Sequence, residues 1–201
     1  MKTTVVCSQE KSPLETLAVR EVCRYIFQRT GQLPPVVTGK PPWKFADSSI
    51  VIGRKDRDHV AAVLLDPQLK TAVAALQSQQ YILKTIEVGG RRVLLVVGGD
   101  DIGTLYGGYR LAECLGVRFY VHGDVIPDAR LHGALPNLDE LGQPLFALRG
   151  IQPFNNFAFG PDWWTVEDYK AIIGQLAKMR MNFIGFHCYP EYPGTPNPEK
   201  C

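Results

Sequence analysis

The residues best suited to chemistry gather near the end of the chain. Arg149 stands in the apolar stretch Leu148-Arg149-Gly150-Ile151, and Gln152, Asn155 and Asn156 follow it. His187 closes a second stretch, Asn182-Phe183-Ile184-Gly185-Phe186, with Glu191 just beyond. An arginine inside an apolar strand is costly unless paired. Arg149 therefore implies a carboxylate partner or an anionic or hydroxyl-rich ligand; a structural ion pair with a later strand is the alternative. Amide side chains both donate and accept, so Gln152 and Asn155 suit sugar hydroxyls. Phe157, Phe159, Trp163 and Trp164 crowd the same loop. Aromatic faces stack on sugar rings, and they equally plug the rims of barrels. His187 reads as a contact residue or a packed histidine, and Glu191 as a contact residue or a loop charge. The candidate substrate-binding set is Arg149, His187, Gln152, Asn155, Glu191 and Trp163.

These residues need a scaffold. Leu148 to Ile151 reads as a short strand, Thr165 to Met179 as a helix, and Asn182 to Phe186 as a second strand. In parallel βα folds the carboxyl ends of the strands carry the chemistry. One parallel pair cannot bury both its faces, so this stretch reads as the opening of a larger α/β protein.

The earlier part of the chain has its own pattern. Thr4-Val5-Val6-Cys7 predicts a strand. Ser12-Pro13-Leu14-Glu15 is a capping box with proline at the first helical position, and Gly31 stops the helix. Ser49 to Gly53 is a buried strand by its β-branched run. Residues 55 to 79 are ambiguous, with Asp66-Pro67 able to cap a helix carrying Leu69, Val73 and Leu76. Tyr81 to Val88, Gly89-Gly90 and Arg91 to Val97 predict a hairpin. A helix bearing Leu105, Tyr106, Tyr109 and Ala112 follows Gly98-Gly99-Asp100-Asp101. Gly103, Gly107 and Gly108 weaken it unless its backbone packs closely on the sheet. Val117 to Val121 supplies another strand. Asp124 to Gln143, rich in Pro, Gly, Asp and Asn, reads as a linker. The expected fold is α/β: an α+β accessory domain over residues 1–140, with a mixed β-sheet and amphipathic helices on one face. The first βαβ unit of an incomplete TIM barrel follows over residues 141–201.

Composition excludes several functions. With 22 basic and 20 acidic residues, the net charge of +2 makes no electrostatic case for nucleic acid or an anionic membrane. No stretch approaches the roughly 20 apolar residues of a membrane span. The five cysteines form no C-x-x-C pair, so neither a zinc site nor another metal is expected. Their odd number and the lack of a leader pattern at the start favour the cytoplasm. Gly98-Gly99-Asp100-Asp101 occupies the place of a phosphate loop, but G-x-G-x-x-G is absent and two aspartates would repel phosphate. No cofactor is expected.

The motifs resemble known families. Leu148 to Ile151, the helix, and Lys178-Met179-Arg180-Met181-Asn182-Phe183-Ile184-Gly185-Phe186-His187 are similar to the opening of the catalytic barrel in family 20 glycoside hydrolases, the β-hexosaminidases. Upstream, Gly103-Thr104-Leu105-Tyr106-Gly107-Gly108-Tyr109 and Leu115-Gly116-Val117-Arg118-Phe119-Tyr120 resemble the N-terminal domain shared by hexosaminidases and α-glucuronidases. The resemblance implies an accessory domain before a (β/α)8 barrel that hydrolyses O-glycosidic bonds of hexosaminides or uronides. It gives Arg149 the role of holding hydroxyls of the terminal sugar. It makes a carbohydrate substrate and the remainder of the barrel the partners. The chain departs from family 20 where Pro153-Phe154-Asn155-Asn156-Phe157 and Cys188-Tyr189-Pro190 stand in place of the family's charged runs. The family's adjacent Asp-Glu acid/base pair belongs to a fourth barrel strand, whereas Asp139-Glu140 lies in the linker. No catalytic residue is therefore assigned within the chain. The competing reading is a non-catalytic carbohydrate-binding or interaction module; a nucleotide-binding α/β domain built on Gly98 is a third.

Overall fold

The computed structural model describes residues 3–39, 48–133, 135–153 and 161–185. The chain forms two compact units, Met1–Leu145 and Phe146–Cys201.

The first unit is built on β1 (Thr3–Cys7), α1 (Pro13–Thr30), β2 (Val36–Thr38), β3 (Ser48–Arg54), α2 (Asp58–Ala61), α3 (Pro67–Ala74), β4 (Tyr81–Val88), β5 (Arg91–Gly98), α4 (Asp101–Cys114), β6 (Arg118–Tyr120), β7 (Gly123–Val125) and β8 (Asp139–Gly142). The six-stranded sheet runs β2-β1-β3-β5-β4-β8. β2, β1, β3 and β5 are parallel; β4 is antiparallel to both β5 and β8. The hairpin turns on Gly89 and Gly90, whose φ angles of 58° and 73° fit the primed turns that match strand twist.

Local chemistry accounts for the helices. The Ser12 hydroxyl accepts from the Glu15 amide and the Glu15 carboxylate accepts from the Ser12 amide, and Gly31 ends α1 in the left-handed region. Asp66 caps α3 through the Gln68 amide, and Asp100 caps α4 through Gly103. In α4, a methyl on Gly107 would stand 3.1 Å from Val96 Cγ1 on the sheet, and one on Gly108 would stand 3.3 Å from Val22 of α1. These glycines let the helix approach both neighbours.

The expectation of helices on one face is corrected. Val6, Val51, Val93, Leu95 and Val97 point to a second face, where Val60, Val63, Leu69, Val73 and Leu76 of the 55–79 stretch cover them. The sheet is thus enclosed in three layers. Two further expectations change. β6 pairs only with β7, in a separate two-stranded sheet. Asp139–Gly142, expected in a linker, is the outermost strand of the main sheet. Among the described residues, no helix is long and apolar enough to cross a membrane.

One buried cation pins the chain that leaves this sheet. Arg29 is 4% exposed; its Nε donates to the Leu115 carbonyl at 2.8 Å, and its Nη1 to those of Pro127 and Ala129. The Leu131 amide donates to the Arg29 carbonyl. Stripping three carbonyls of their donor leaves buried groups unsatisfied. Arg29→Ala is therefore expected to lose about 3 kcal/mol in urea denaturation. A loss under about 1 kcal/mol would show that water replaces the guanidinium.

Candidate functional site

The second unit carries the residues singled out by sequence. β9 (Gly150–Ile151) and β10 (Phe183–Ile184) pair in parallel, joined by a 3-10 turn at Pro161–Trp163 and α5 (Val166–Lys178). Thr165 and Asp168 form the capping box of α5. Gly150 must be glycine, because a methyl there would stand 1.8 Å from the Phe183 carbonyl oxygen. Asn182 stitches the start of the pair: its Oδ1 accepts from the Arg149 amide at 2.9 Å, and its Nδ2 donates to the Ala147 carbonyl at 2.8 Å.

Arg149 works at this same amino-terminal rim. Its Nε donates to the Arg180 carbonyl at 3.0 Å and its Nη1 to that of Phe146 at 2.6 Å. Sequence assigned Arg149 to the rim where Gln152 leaves β9; these carbonyls lie at the opposite end of the strands. These described acceptors are peptide carbonyls. Gln152 is exposed at the carboxyl-terminal end, and its Cγ stands 3.0 Å from where a methyl on Gly185 would project. Trp163 is 70% exposed. Its neighbour Trp164 packs edge-on against Tyr169, with ring centroids 5.3 Å apart, and the Tyr169 hydroxyl donates to the Pro161 carbonyl. Asn155, His187 and Glu191 lie outside the described residues, as do Asn156, Phe157 and Phe159. The described residues thus bring Gln152 and Gly185 together and leave Arg149 apart from them. Leu176 is the buried residue of α5, while Val166 and Ile173 on the helix and Phe183 on β10 are exposed.

The polar residues of the first unit concentrate at the carboxyl ends of β1, β3 and β5. Ligands of open α/β sheets bind in such places, but here the groups are matched to one another. The buried Glu15 carboxylate receives Nε and Nη2 of Arg57 and the amide of Arg54. Arg54 in turn pairs with Asp56 and Asp101. Burial would raise the Glu15 carboxyl; the Arg57 guanidinium and the Ser12 and Arg54 amides outweigh it and hold the group below its ordinary value. The glycine turn is equally spent. Asp100 accepts from the amides of Gly103 and Gln79 and from Ser78 Oγ. A methyl on Gly99 would stand 2.0 Å from the Gln77 carbonyl oxygen. The bare backbone of the turn admits the 77–80 segment.

The Asp139-Glu140 dipeptide is also committed, Asp139 to Lys84 and Glu140 to Arg110. His59 is 2% exposed. Its Nε2 lies 2.8 Å from the Ile52 carbonyl, and burial lowers its pKa. A cleft of about 450 Å³ at the amino end of β1 is lined by Thr3, Thr4, Thr30, Ile26 and Leu33; among the described residues its lining offers no carboxylate. Among the described residues, no group of three or more His, Cys, Asp or Glu could hold a metal ion. Sequence reasoning found Glu15 as a cap but not its partner Arg57, which lies 42 residues away. Arg29 went unnoticed, since nothing local marks a buried arginine in an amphipathic helix.

Residues 1–111 match the family model described as Glycosyl hydrolase family 67 N-terminus, which covers more than half of the chain. The match ends inside α4 and supports the glucuronidase side of the resemblance, not the family 20 hexosaminidase side. No curated protein gives a significant match.

Glu15 provides a test of how this end of the sheet is held. Its stabilising contribution is present above the ordinary carboxylate pKa near 4.5. It is lost as pH falls through the lowered value of the folded state. Glu15→Gln is expected to cost about 3 kcal/mol at pH 7 by leaving Arg57 partly buried and unpaired. The variant should also lose less stability than the parent between pH 5 and 3 in urea denaturation followed by circular dichroism. Parallel pH profiles would overturn the assignment.

Proposed function

We propose, because the chain belongs to the glycosyl hydrolase family 67 N-terminus family, that it is the N-terminal part of a hydrolase acting on O-glycosidic bonds of uronides. The family match over residues 1–111 carries this reading. The first unit serves as scaffold. Glycoside hydrolysis ordinarily needs two carboxylates facing one bond across about 5–10 Å. Glu15, Asp56, Asp100, Asp101, Asp139 and Glu140 are instead occupied by helix caps and arginine or lysine partners.

In this reading the second unit begins a (β/α)8 barrel. Gln152, Asn155, Trp163, His187 and Glu191 sit in its first carboxyl-end loops, where they contact the sugar. The acid and its partner carboxylate come from later barrel strands. The parallel β9-α5-β10 arrangement supports this, because α5 carries apolar residues that only further strands and helices would cover.

An aryl glycoside panel tests the proposal. These 201 residues should release no nitrophenol, whereas the protein extended by the later barrel units should hydrolyse an aryl α-glucuronide and leave an aryl β-N-acetylhexosaminide intact. Turnover by the 201 residues alone, or a hexosaminide preference in the extended protein, would overturn it.

A further inference from the structure

The segment from Asp124 to Gly142 has a linker's composition, yet a series of bonds fastens it to the first unit. Tyr25 donates to Asp124 at 2.7 Å. Arg29 holds the carbonyls of Pro127 and Ala129. Thr85 receives the Leu138 amide on its hydroxyl and donates its own amide to the Leu138 carbonyl. β8 then closes against β4.

The fastenings differ in kind along the segment. The early ones rest on buried groups: Arg29 is 4% exposed and Leu135 5%. The ion pairs of β8 are partly open to water. The Lys84–Asp139 pair has side chains 29% and 77% exposed, and the Arg110–Glu140 pair 36% and 35%. Leu141 is 60% exposed, so the apolar area it buries for β8 is small. Among the described residues, β8 is also the end of the sheet, bonded on one side alone. Exposed ion pairs are weak and are screened by salt, and edge segments of low burial open locally while the core stays closed.

We propose that β8 is a reversible latch on the connector to the second unit. Closed, it leaves residues 143–145 as the free tether before Phe146. Open, with Leu138 still held by Thr85, the tether runs from 139 to 145. Ionic strength sets the balance through Arg110–Glu140 and Lys84–Asp139. Cys114 reports on it, because its Sγ lies 3.8 Å from Glu140 Oε1. This inference is independent of the glycosidase reading.

Peptide-resolved hydrogen exchange on the 201-residue chain tests it, in 50 and 500 mM sodium chloride, with Glu140→Gln and Lys84→Gln beside the parent. Residues 139–142 should exchange well ahead of residues 93–97. Their rate should rise about threefold in either variant or in high salt, with 93–97 unchanged. Alkylation of Cys114 by N-ethylmaleimide should rise in step. Exchange of 139–142 at the same rate as 93–97 in the parent would overturn the latch. So would indifference to salt and to both substitutions. Should Glu140→Gln accelerate both regions, Lys84→Gln decides, since Lys84 touches Asp139 and leaves the α4 pairing of Arg110 with Glu113 in place.

Discussion

Val93 to Val97 of β5 are each at most 1% exposed. Five consecutive apolar residues send side chains to both faces of a sheet, so each face must be covered. That requirement organises the first unit. α1 and α4 supply one layer; α2 and α3 supply the other. It also sets the composition of α4, where Gly107 and Gly108 allow an aromatic-rich helix to lie between the sheet and α1. Glycine inside a helix costs about 1 kcal/mol. Here the close contacts with Val96 and Val22 offset that cost.

Polar groups then fix what burial leaves loose. Hydrophobic contact is non-directional and does not specify how a loop leaves the sheet. Glu15 and Arg29 do so at opposite ends of α1. Glu15 joins the start of the helix to the turn after β3, and Arg29 joins its end to the chain beyond α4. Each removes several donors or acceptors from competition at once, so each position admits few substitutes. Glu15 has its charge matched by Arg57, whereas Arg29 is held by carbonyl oxygens.

Much of the first unit was legible because its signals are local. Ser12-Pro13-Leu14-Glu15 named a helix start, Gly89-Gly90 a hairpin, and the β-branched run at Ser49 to Gly53 a buried strand. The second helical layer was not legible. α2 has only four residues and α3 eight, too few for a clear 3.6-residue period. β8 was hidden for a different reason. Its residues are not strand-like, and it is held by cross-sheet charges 30 and 55 residues away in sequence. Composition reads a linker where backbone pairing with β4 makes a strand. The candidate site was legible as residue types but not as placement. An apolar flank suggested that Arg149 seeks a carboxylate partner or an anionic or hydroxyl-rich ligand, while its described donors go to carbonyls at the amino-terminal rim.

That placement of Arg149 separates two jobs that an Arg-Gly strand could perform. Gly150 is needed because the Phe183 backbone comes within van der Waals distance of its α-carbon. The close approach brings Arg180, at the left-handed end of α5, within reach of the Arg149 guanidinium. Asn182 completes the rim by exchanging side-chain bonds with Ala147 and the Arg149 amide. The Arg-Gly and Asn motifs are thus one device that seats the second strand against the first. Conservation at the amino-terminal end of such strands reports stability, and the carboxyl-terminal end reports chemistry. Gln152 lies at the other end of the pair, directly after β9. The Gln152 side chain fills the space a side chain at 185 would need, its Cγ 3.0 Å and Phe183 Cζ 3.2 Å from where a methyl on Gly185 would project.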